Sequence, residues 1–467
     1  MRRSSIMRLW LVLILAFQFT SQLALAQRAT TETTSERRPN ILLILSDDCG
    51  HAEFSIQGHP RYKTPHIDSI GKNGVHFRQG YVSGCVCSPS RAGLLAGRYQ
   101  QRFGHEFNIP PAYSETNGLP RSETLLPQLL KEDGYRTIAL GKWHLGYAPQ
   151  FHPMERGFTD YYGFLQGSRS YFPLKKPTRL NQMLRDRTAI PEEQFGYMTD
   201  HLADEAIAYI KQWQSQPWMM YLAFNATHSP NDATAVDLQA ADGNKIYAMT
   251  IALDRAVGKV LDALKECGLS KDTLVIFIND NGGAGGHDNG SLHGKKGSTW
   301  EGGTRIPFLV QYPAKIPSGQ VIDEPVIALD LFPTILDVAG LGDAELKKIP
   351  FDPEKLDGIS LIPRMTGKTQ RLVDRPLYWK SGKRWAIRQG NLKAVSGNDD
   401  QGDQVELFDL SSDPDEQRNL AATHPDELQQ LEALYRKWES TLEKPRWGSS
   451  PGKKSGSGTD ESSSDNP

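Results

Sequence analysis

Cysteine is scarce in this chain of 467 residues, which contains four. So few thiols in so long a sequence do not form the disulfide framework of a small secreted domain. Cys85 and Cys87 lie too close together in an extended segment to bridge each other comfortably. The sequence leaves open whether Cys49 or Cys85 pairs with Cys267. The length suffices for one large domain and a smaller one.

The sequence also lacks an excess of charge of either sign. It contains 53 basic and 55 acidic residues, a formal net charge of -2. This balance argues against a protein that binds nucleic acid or another polyanion over a broad basic surface. An anionic substrate would therefore need a local site that supplies positive charge.

Long apolar runs are missing, since none reaches the roughly 20 residues needed to cross a membrane. The N-terminus carries three arginines within its first eight residues, then an apolar run over 9–17 and the small-x-small sequence Ala24-Leu25-Ala26. Polar residues from position 18 onward end the run too early for a membrane span. The pattern predicts a signal peptide over 1–26, no transmembrane segment, and export to the periplasm or the medium.

Four short apolar runs have the composition of strands that are buried on both faces. Helical stretches over 125–133, 203–214 and 245–267 separate them. Strands alternating with helices predict an α/β fold with a large, doubly wound, mostly parallel sheet. This catalytic domain is expected over 39–374, after a polar lead-in at 27–38. The four runs are Asn40–Ser46, Thr137–Leu140, Trp218–Ala223 and Leu274–Ile278.

The texture of the sequence changes near Arg375. Four short strand candidates split by turns, within 377–410, precede an amphipathic helical pattern over 425–442. A smaller C-terminal subdomain over 375–442, an antiparallel sheet plus a helix, is therefore expected. Residues 443–467 are rich in Ser, Gly and Asp, and this composition predicts a disordered tail.

Oxygen donors follow two of the predicted strands at the point where each strand ends. Asp47 and Asp48 come after the first strand, and Asp280 and Asn281 after the fourth. Ligands bind at such strand ends in open α/β sheets. An isolated Asp pair there is more often a turn or a helix cap. Two such sites in one chain instead favour a hard cation, calcium or else magnesium.

Basic side chains follow the same kind of strand. Lys142 and His144 lie two residues apart after the second strand, and His228 follows the third. The glycine-rich stretch 282–303 adds Lys295 and Lys296. Taken singly, such residues are more often surface groups or satisfied core residues, and only their joint pattern indicates an anion pocket.

Cys87-Ser88-Pro89-Ser90-Arg91 precedes the apolar start of a predicted helix, Ala92 to Arg98. The C-x-P-x-R and A-x-L-x-x-G-R patterns resemble the signature of the type I sulfatases, arylsulfatase-like members of the alkaline phosphatase-like superfamily. The segments 40–48, 141–146, 278–283 and 292–303 resemble the same family, and the likeness reaches to about residue 442. Two departures, His293 and Ala96 in place of the family's usual arginine and threonine, concern substrate contacts.

The resemblance implies that Cys87 is oxidised to formylglycine by a maturation enzyme. It implies one calcium ion held by Asp47, Asp48, residue 87, Asp280 and Asn281. It also places Lys142, His144, His228 and Lys296 around the sulfate, with Arg91 steadying the formylglycine hydrate. The expected activity is hydrolysis of sulfate monoesters, above all of sulfated carbohydrates and also of aryl sulfates.

The chemistry agrees with this allocation. A sulfate monoester is a weak electrophile, so hydrolysis needs cations around it and a nucleophile held in line. His228 or Lys296 would protonate the departing alcohol oxygen, and His144 would act as the base that releases sulfate. His105, Glu106 and Arg169 are further candidates for the substrate pocket.

Three alternatives remain on the sequence alone. Cys87 could be a buried structural thiol beside a helix start. The chain could hydrolyse phosphoesters on the same fold, as relatives of this architecture do. It could also be a binding protein for sulfated glycans with an inactive site.

Overall fold

The computed structural model describes residues 37–342, 346, 351–396 and 404–448. The predicted signal peptide and residues 449–467 of the predicted tail lie outside the described residues. Among the described residues, no helix is both long and apolar enough to cross a bilayer. All four cysteines are free thiols.

The strands and helices follow one another in mixed order along the chain. The strands are β1 (Asn40–Ser46), β2 (Val75–Phe77), β3 (Gly80–Tyr81), β4 (Arg136–Lys142), β5 (Asp160–Phe164), β6 (Leu184–Arg185), β7 (Thr188–Ala189), β8 (Trp218–Ala223), β9 (Thr273–Asn279), β10 (Arg305–Ile306), β11 (Phe308–Gln311), β12 (Gln320–Ile322), β13 (Val326–Ile327), β14 (Leu377–Ser381), β15 (Arg384–Gln389), β16 (Leu392–Ser396) and β17 (Val405–Asp409). The helices are α1 (Pro65–Lys72), α2 (Cys87–Ala96), α3 (Leu126–Glu132), α4 (Met198–Gln212), α5 (Ala235–Ala240), α6 (Lys245–Glu266), α7 (Glu301–Thr304), α8 (Leu331–Ala339), α9 (Ile362–Met365) and α10 (Pro425–Glu439).

A ten-stranded sheet in the order β12-β2-β11-β9-β1-β8-β4-β5-β6-β7 forms the centre of the fold. Its middle strands β9, β1, β8, β4 and β5 are all parallel. The prediction of a large, mostly parallel sheet is confirmed. In register, Ser46 pairs with Asn279, and Leu45 and Gly141 both pair with Ala223, so the middle strands end at one edge.

Each face of the sheet is covered by its own hydrophobic layer, because successive side chains of a strand point to opposite faces. Ile41, Leu43 and Leu45 of β1 pack in the layer that contains residues of α2, α3 and α8. Leu42 and Ile44 pack in the other layer, with residues of α1, α4 and α6. The sheet is thus buried on both sides, and only the ends of its strands are left for chemistry.

The C-terminal part contains the predicted antiparallel sheet, in the order β14-β15-β16-β17, with α10 packed against it. Trp385 of β15 stacks on Tyr435 of α10 with ring centroids 4.2 Å apart. The same core cluster includes Tyr81, Tyr99 and Trp300 from earlier in the chain. The C-terminal sheet therefore shares its core with the preceding residues, and the boundary at 374/375 stays a prediction.

The predicted start of the disordered tail at residue 443 is too early. Trp447 is buried, and its Nε1 donates to the carbonyl oxygens of Phe107 and Asn108 at 2.9 and 3.0 Å. Arg446 Nε donates to the carbonyl oxygen of Phe103 at 3.1 Å. The prediction rested on the average composition of residues 443–467, which does not show that one aromatic residue, Trp447, packs against the folded part of the chain.

A candidate active site at the carboxyl edge of the sheet

The acidic pairs predicted after β1 and β9 meet because these two strands are parallel neighbours. The backbone N–H of Asp48 donates to Asp280 Oδ1 at 3.3 Å. Asn281 Nδ2 donates to Asp48 Oδ1 at 2.8 Å. Asp47 is completely buried beside them. The structure therefore brings all four predicted oxygen donors to one place.

Cys87 is the first residue of α2, and its side chain is buried next to the acidic pair. Its Sγ lies 3.5 Å from Asp47 Oδ1 and 3.9 Å from Asp48 Oδ1. Burial alone would raise the pKa of the Cys87 thiol, but Lys142 and Lys296 outweigh it and lower the pKa to about 7. A structural thiol in an apolar core has no such neighbours, so the surroundings of Cys87 are those of a reactive group.

Each carboxylate of the acidic pair is paired with its own lysine. Lys142, the last residue of β4, is completely buried, and its Nζ donates to Asp47 Oδ2. Lys296 Nζ donates to Asp48 at 2.7 Å, and its backbone N–H donates to the carbonyl oxygen of Gly283 at 2.9 Å. Lys295 is exposed. The choice of Lys296 over Lys295 agrees with this placement.

Arg91 connects two of the strand ends. Its completely buried guanidinium donates from Nε to Asp280 Oδ2 at 2.9 Å and from Nη1 to the carbonyl oxygen of Lys142 at 3.0 Å. A guanidinium that bridges two groups in this way fixes the position of both. Arg91 thus holds the end of β4 against the residues that follow β9.

His228 has one ring nitrogen facing Asp48. Its Nδ1 lies 2.6 Å from the carbonyl oxygen of Ser229, which can only accept, so Nδ1 carries a hydrogen. Its Nε2 lies 3.6 Å from Asp48 Oδ2. Burial alone would lower the pKa of His228, but the Asp47 carboxylate reverses this effect and raises it. His228 is suited to hold a proton at Nε2.

His144 has the opposite character. Burial, followed by the charge of Lys142, lowers the pKa of His144 well below its usual range. Its buried Nδ1 has no hydrogen-bond partner within the described residues. Its backbone carbonyl accepts from Ser88 Oγ at 2.7 Å, which ties its position to the first turn of α2. A neutral imidazole with a free nitrogen is suited to accept a proton.

Cys87, His144 and His228 line a cavity of about 200 Å³. The other residues of its wall, which the motifs did not indicate, are Asn108, Ile109, Pro111, Tyr147, Gln166, Gly167 and Ser168. Three of them follow β5, which pairs in parallel with β4 and ends at the same edge. The short sequence of β5, which contains Asp160 and Gly163, gave no apolar run that predicted a strand.

The three further pocket candidates do not line this cavity, which is a correction to the sequence analysis. His105 is buried with its Nε2 2.6 Å from Ser88 Oγ. Glu106 accepts from the backbone N–H of Gly382 at 2.6 Å. Arg169 is paired with Glu192 at 2.7 Å. All three have structural partners that no local pattern indicated.

The acidic cluster can accommodate a metal ion. Ligand atoms of Asp47, Asp48, Cys87 and His228 lie within 4.8 Å of one another. Burial raises the pKa of Asp47, and burial with the charge of Asp47 raises the pKa of Asp280 to about 6. Asn281 Oδ1 is buried without a hydrogen-bond partner among the described groups. A cluster of carboxylate oxygens with a free amide oxygen suits a hard divalent cation.

Comparisons with known proteins agree with this geometry. The family model described as Sulfatase matches residues 39–341, and that of the N-sulphoglucosamine sulphohydrolase C-terminal region matches 293–444. N-acetylgalactosamine-6-sulfatase of Canis lupus familiaris is 35% identical over 383 residues, which cover 76% of this chain and 71% of that protein. The uncharacterized sulfatase YdeN of Escherichia coli strain K12 is 31% identical over 425 residues, covering 77% of this chain and 71% of that protein.

A solved structure is similar over nearly the whole fold. The crystal structure of Ps i-CgsB in complex with k-i-k-neocarrahexaose has a TM-score of 0.81 and 33% sequence identity, and the match covers 88% of this chain and 95% of that chain. The family model spans well over half of the present sequence. The chain therefore belongs to the sulfatase family and is a sulfuric ester hydrolase.

Proposed function

We propose that this chain is an exported, calcium-dependent sulfatase that uses formylglycine at position 87 to hydrolyse sulfate esters of carbohydrates. One observation carries the proposal. The side chain of residue 87 lines a cavity and lies against two carboxylates, and Lys142 and Lys296 pair with those same carboxylates. A nucleophile among cations is what a sulfate monoester requires.

Both groups that the family implies have suitable residues here. Calcium would be held by the side chains of Asp47, Asp48, residue 87, Asp280 and Asn281, and would stabilise negative charge on the reacting sulfate. The formylglycine hydrate would supply one hydroxyl that attacks sulfur and a second hydroxyl that permits release of sulfate. Serine and cysteine lack this second hydroxyl. We propose that a maturation enzyme of the host makes this conversion.

The chain's own cations would bind the sulfate oxygens. The ammonium groups of Lys142 and Lys296 are both held by carboxylates near Cys87. Arg91 is kept away from the cavity by its bonds to Asp280 and to the Lys142 carbonyl. Its role is to position the end of α2 and therefore residue 87.

The two histidines divide the proton transfers. His228, whose pKa is raised, would protonate the departing alcohol oxygen from Nε2, with Lys296 as the other cation in reach of the site. His144, whose pKa is lowered, would accept a proton when sulfate is released. Groups whose environments push their pKa values apart are suited to serve as acid and base in one cycle.

Carbohydrate sulfates are the substrates that the relatives support. The similar dog protein is named for a sulfated amino sugar, and Ps i-CgsB was crystallised with a neocarrahexaose. The cavity wall offers amide, phenol and hydroxyl groups from Asn108, Tyr147, Gln166 and Ser168, which suit sugar hydroxyls. Export follows from the signal peptide expected over 1–26.

Peptide mass spectrometry on protein from its native host tests the proposal. The tryptic fragment Gln79 to Arg91 should show loss of sulfur and gain of an aldehyde oxygen at residue 87. Cys87→Ala should abolish release of sulfate from an aryl sulfate. Cys85→Ala, at a buried thiol outside the acidic cluster, is the matched control and should remain active.

Two outcomes would support the alternatives instead. Faster turnover of an aryl phosphate than of the aryl sulfate would indicate a phosphoester hydrolase. An unmodified Cys87 thiol in exported protein that binds sulfated glycan without releasing sulfate would indicate a binding protein.

A further inference from the structure

The reactive cavity has room for little more than one sugar ring. Its volume of about 200 Å³ lies below the 300–1,000 Å³ that is typical of ligand pockets. Apart from Cys87, its titratable lining residues are His144, His228 and Tyr147. If the substrate is an oligosaccharide, as proposed above, its next sugar must lie on the protein surface beside the mouth.

Two segments at that mouth meet through an arginine and a tyrosine. Pro111 lines the cavity, and Tyr113 follows it two residues later with 40% of its surface exposed. Gln166 lines another part of the wall, and its backbone N–H donates to the carbonyl oxygen of Leu180 at 3.0 Å. Arg179, next to Leu180, has its guanidinium carbon 4.6 Å from the centroid of the Tyr113 ring.

The Arg179 segment is held in a defined shape. Thr178 donates from Oγ1 to Asn181 Oδ1 at 2.9 Å, and the backbone N–H of Asn181 donates back to the carbonyl oxygen of Thr178 at 3.2 Å. The buried Arg169 donates to the carbonyl oxygen of Asn181 at 2.9 Å. Arg179 therefore lies in a turn anchored to the interior and is preorganised, which reduces the entropy lost on binding.

This segment is locally cationic in a chain with a net charge of -2. Lys175, Lys176 and Arg179 are exposed, and no acidic residue occurs from 161 to 185. Within the part of the chain that the structure describes, none of the three forms an ion pair, whereas Arg169 is paired with Glu192. These cationic side chains are exposed, have no carboxylate partner among the described residues and lie beside a site that hydrolyses anionic esters. They are therefore available to bind a ligand.

The geometry points to a second anion subsite, formed by Tyr113 and Arg179 with the lysines of the same segment. It would bind a sulfate or carboxylate on the sugar next to the one being hydrolysed. A guanidinium presents paired donors that match such an oxyanion, and the aromatic ring keeps its plane oriented. The inference rests on the proposed function and makes the preferred substrate an oligosaccharide with at least two anionic groups.

Kinetics with three disaccharides test the subsite. All carry one hydrolysable sulfate, and the neighbouring sugar bears a second sulfate, a uronate carboxylate or only hydroxyls. For Arg179→Ala, the kcat/KM of each dianionic disaccharide relative to that of the monoanionic one should fall about tenfold, the typical loss of a charge-assisted contact. Arg179→Lys should lose less, and Tyr113→Ala should lose part of the same ratio.

Arg371→Ala is the matched control, because Arg371 is an exposed arginine outside the reactive cavity, and the ratio should not change. High salt should lower the ratio of the wild-type protein toward that of Arg179→Ala. A response with only one of the two dianionic disaccharides would still support the subsite and would identify the group that it binds. Equal losses with all three disaccharides, or an unchanged ratio, would overturn the inference.

Binding measurements separate this inference from the proposed function. Calorimetric titration of the Cys87→Ala variant with the same disaccharides reports on the subsite without turnover. If wild-type protein releases no sulfate but Arg179→Ala still weakens dianionic binding selectively, the proposed function fails and the subsite stands. If sulfate is released and the Arg179 change has no selective effect on turnover or binding, only the subsite is refuted.

Discussion

Replacing Lys393 with methionine should destabilise the protein strongly. Lys393 lies on β16, is completely buried, and has its Nζ 2.9 Å from both the Glu301 and the Glu416 carboxylates. Glu301 also accepts from the Tyr81 hydroxyl at 2.7 Å. Methionine fills a similar volume without the charge, so the change leaves two buried carboxylates without the cation that they share. Breaking such a buried network by removing one partner costs about 3–5 kcal/mol.

A loss of this size is a large part of a typical unfolding free energy of about 5–15 kcal/mol. Urea unfolding followed by tryptophan fluorescence measures it, because Lys393 Nζ lies 5.5 Å from the centroid of the buried Trp379 ring. The matched control is Lys271→Met at an exposed lysine, which should stay within about 0.5 kcal/mol of the wild type.

The pH dependence gives a second readout. Burial raises the pKa of Glu416 to about 7 even with Lys393 present, above its usual value of 4.5. A folded-state pKa above the unfolded value means that Glu416 favours the folded state at low pH, and that this contribution is lost as the pH rises through about 7. Without Lys393 the same carboxyl should hold its proton more firmly, so the destabilisation should be smaller at pH 6 than at pH 8.

Adding Glu416→Gln to Lys393→Met should recover part of the lost stability, because it removes one of the two buried carboxylates that have lost their shared cation. The reasoning would be refuted if Lys393→Met cost less than about 1 kcal/mol, or if its cost were the same at pH 6 and pH 8.

Three further predictions concern the site, the metal and the C-terminal boundary. Gly141→Ala should lower both the stability of the protein and its rate of sulfate release. Gly141, which precedes Lys142, has a φ of 92°, and a Cβ at this position would overlap the carbonyl oxygen of Ala223. Unfolding and aryl sulfate assays check this prediction, and wild-type behaviour would contradict it. Chelation with EDTA should lower the melting temperature as well as the activity, and calcium should restore both, since the acidic cluster is then left with repelling charges; an unchanged melting temperature would count against the site. A chain ending at residue 448 should be as stable as the full chain, whereas one ending at 442 should lose about 3–5 kcal/mol with the buried Trp447; equal stabilities would show that Trp447 contributes little.

The sequence by itself determined the middle of the sheet and the identity of the reactive groups. Continuous apolar runs predicted β1, β4, β8 and β9, because strands buried on both faces need apolar side chains at every position. Parallel strands end at the same edge, so the polar residues after them had to meet. The Cys87 motif then indicated which chemistry those residues serve.

Only the tertiary structure decided the pairings between distant positions. Trp447 belongs to the fold because its indole reaches carbonyl groups at 107 and 108, a contact that composition cannot show. Arg169 and Arg179 look alike in sequence, yet one is buried against Glu192 and the other lies exposed on Tyr113. Periodicity and motifs report on neighbours along the chain, whereas burial and charge pairing depend on residues that meet only after folding. Local sequence therefore could not predict the walls of the cavity or the pairing of Lys393 with Glu301 and Glu416.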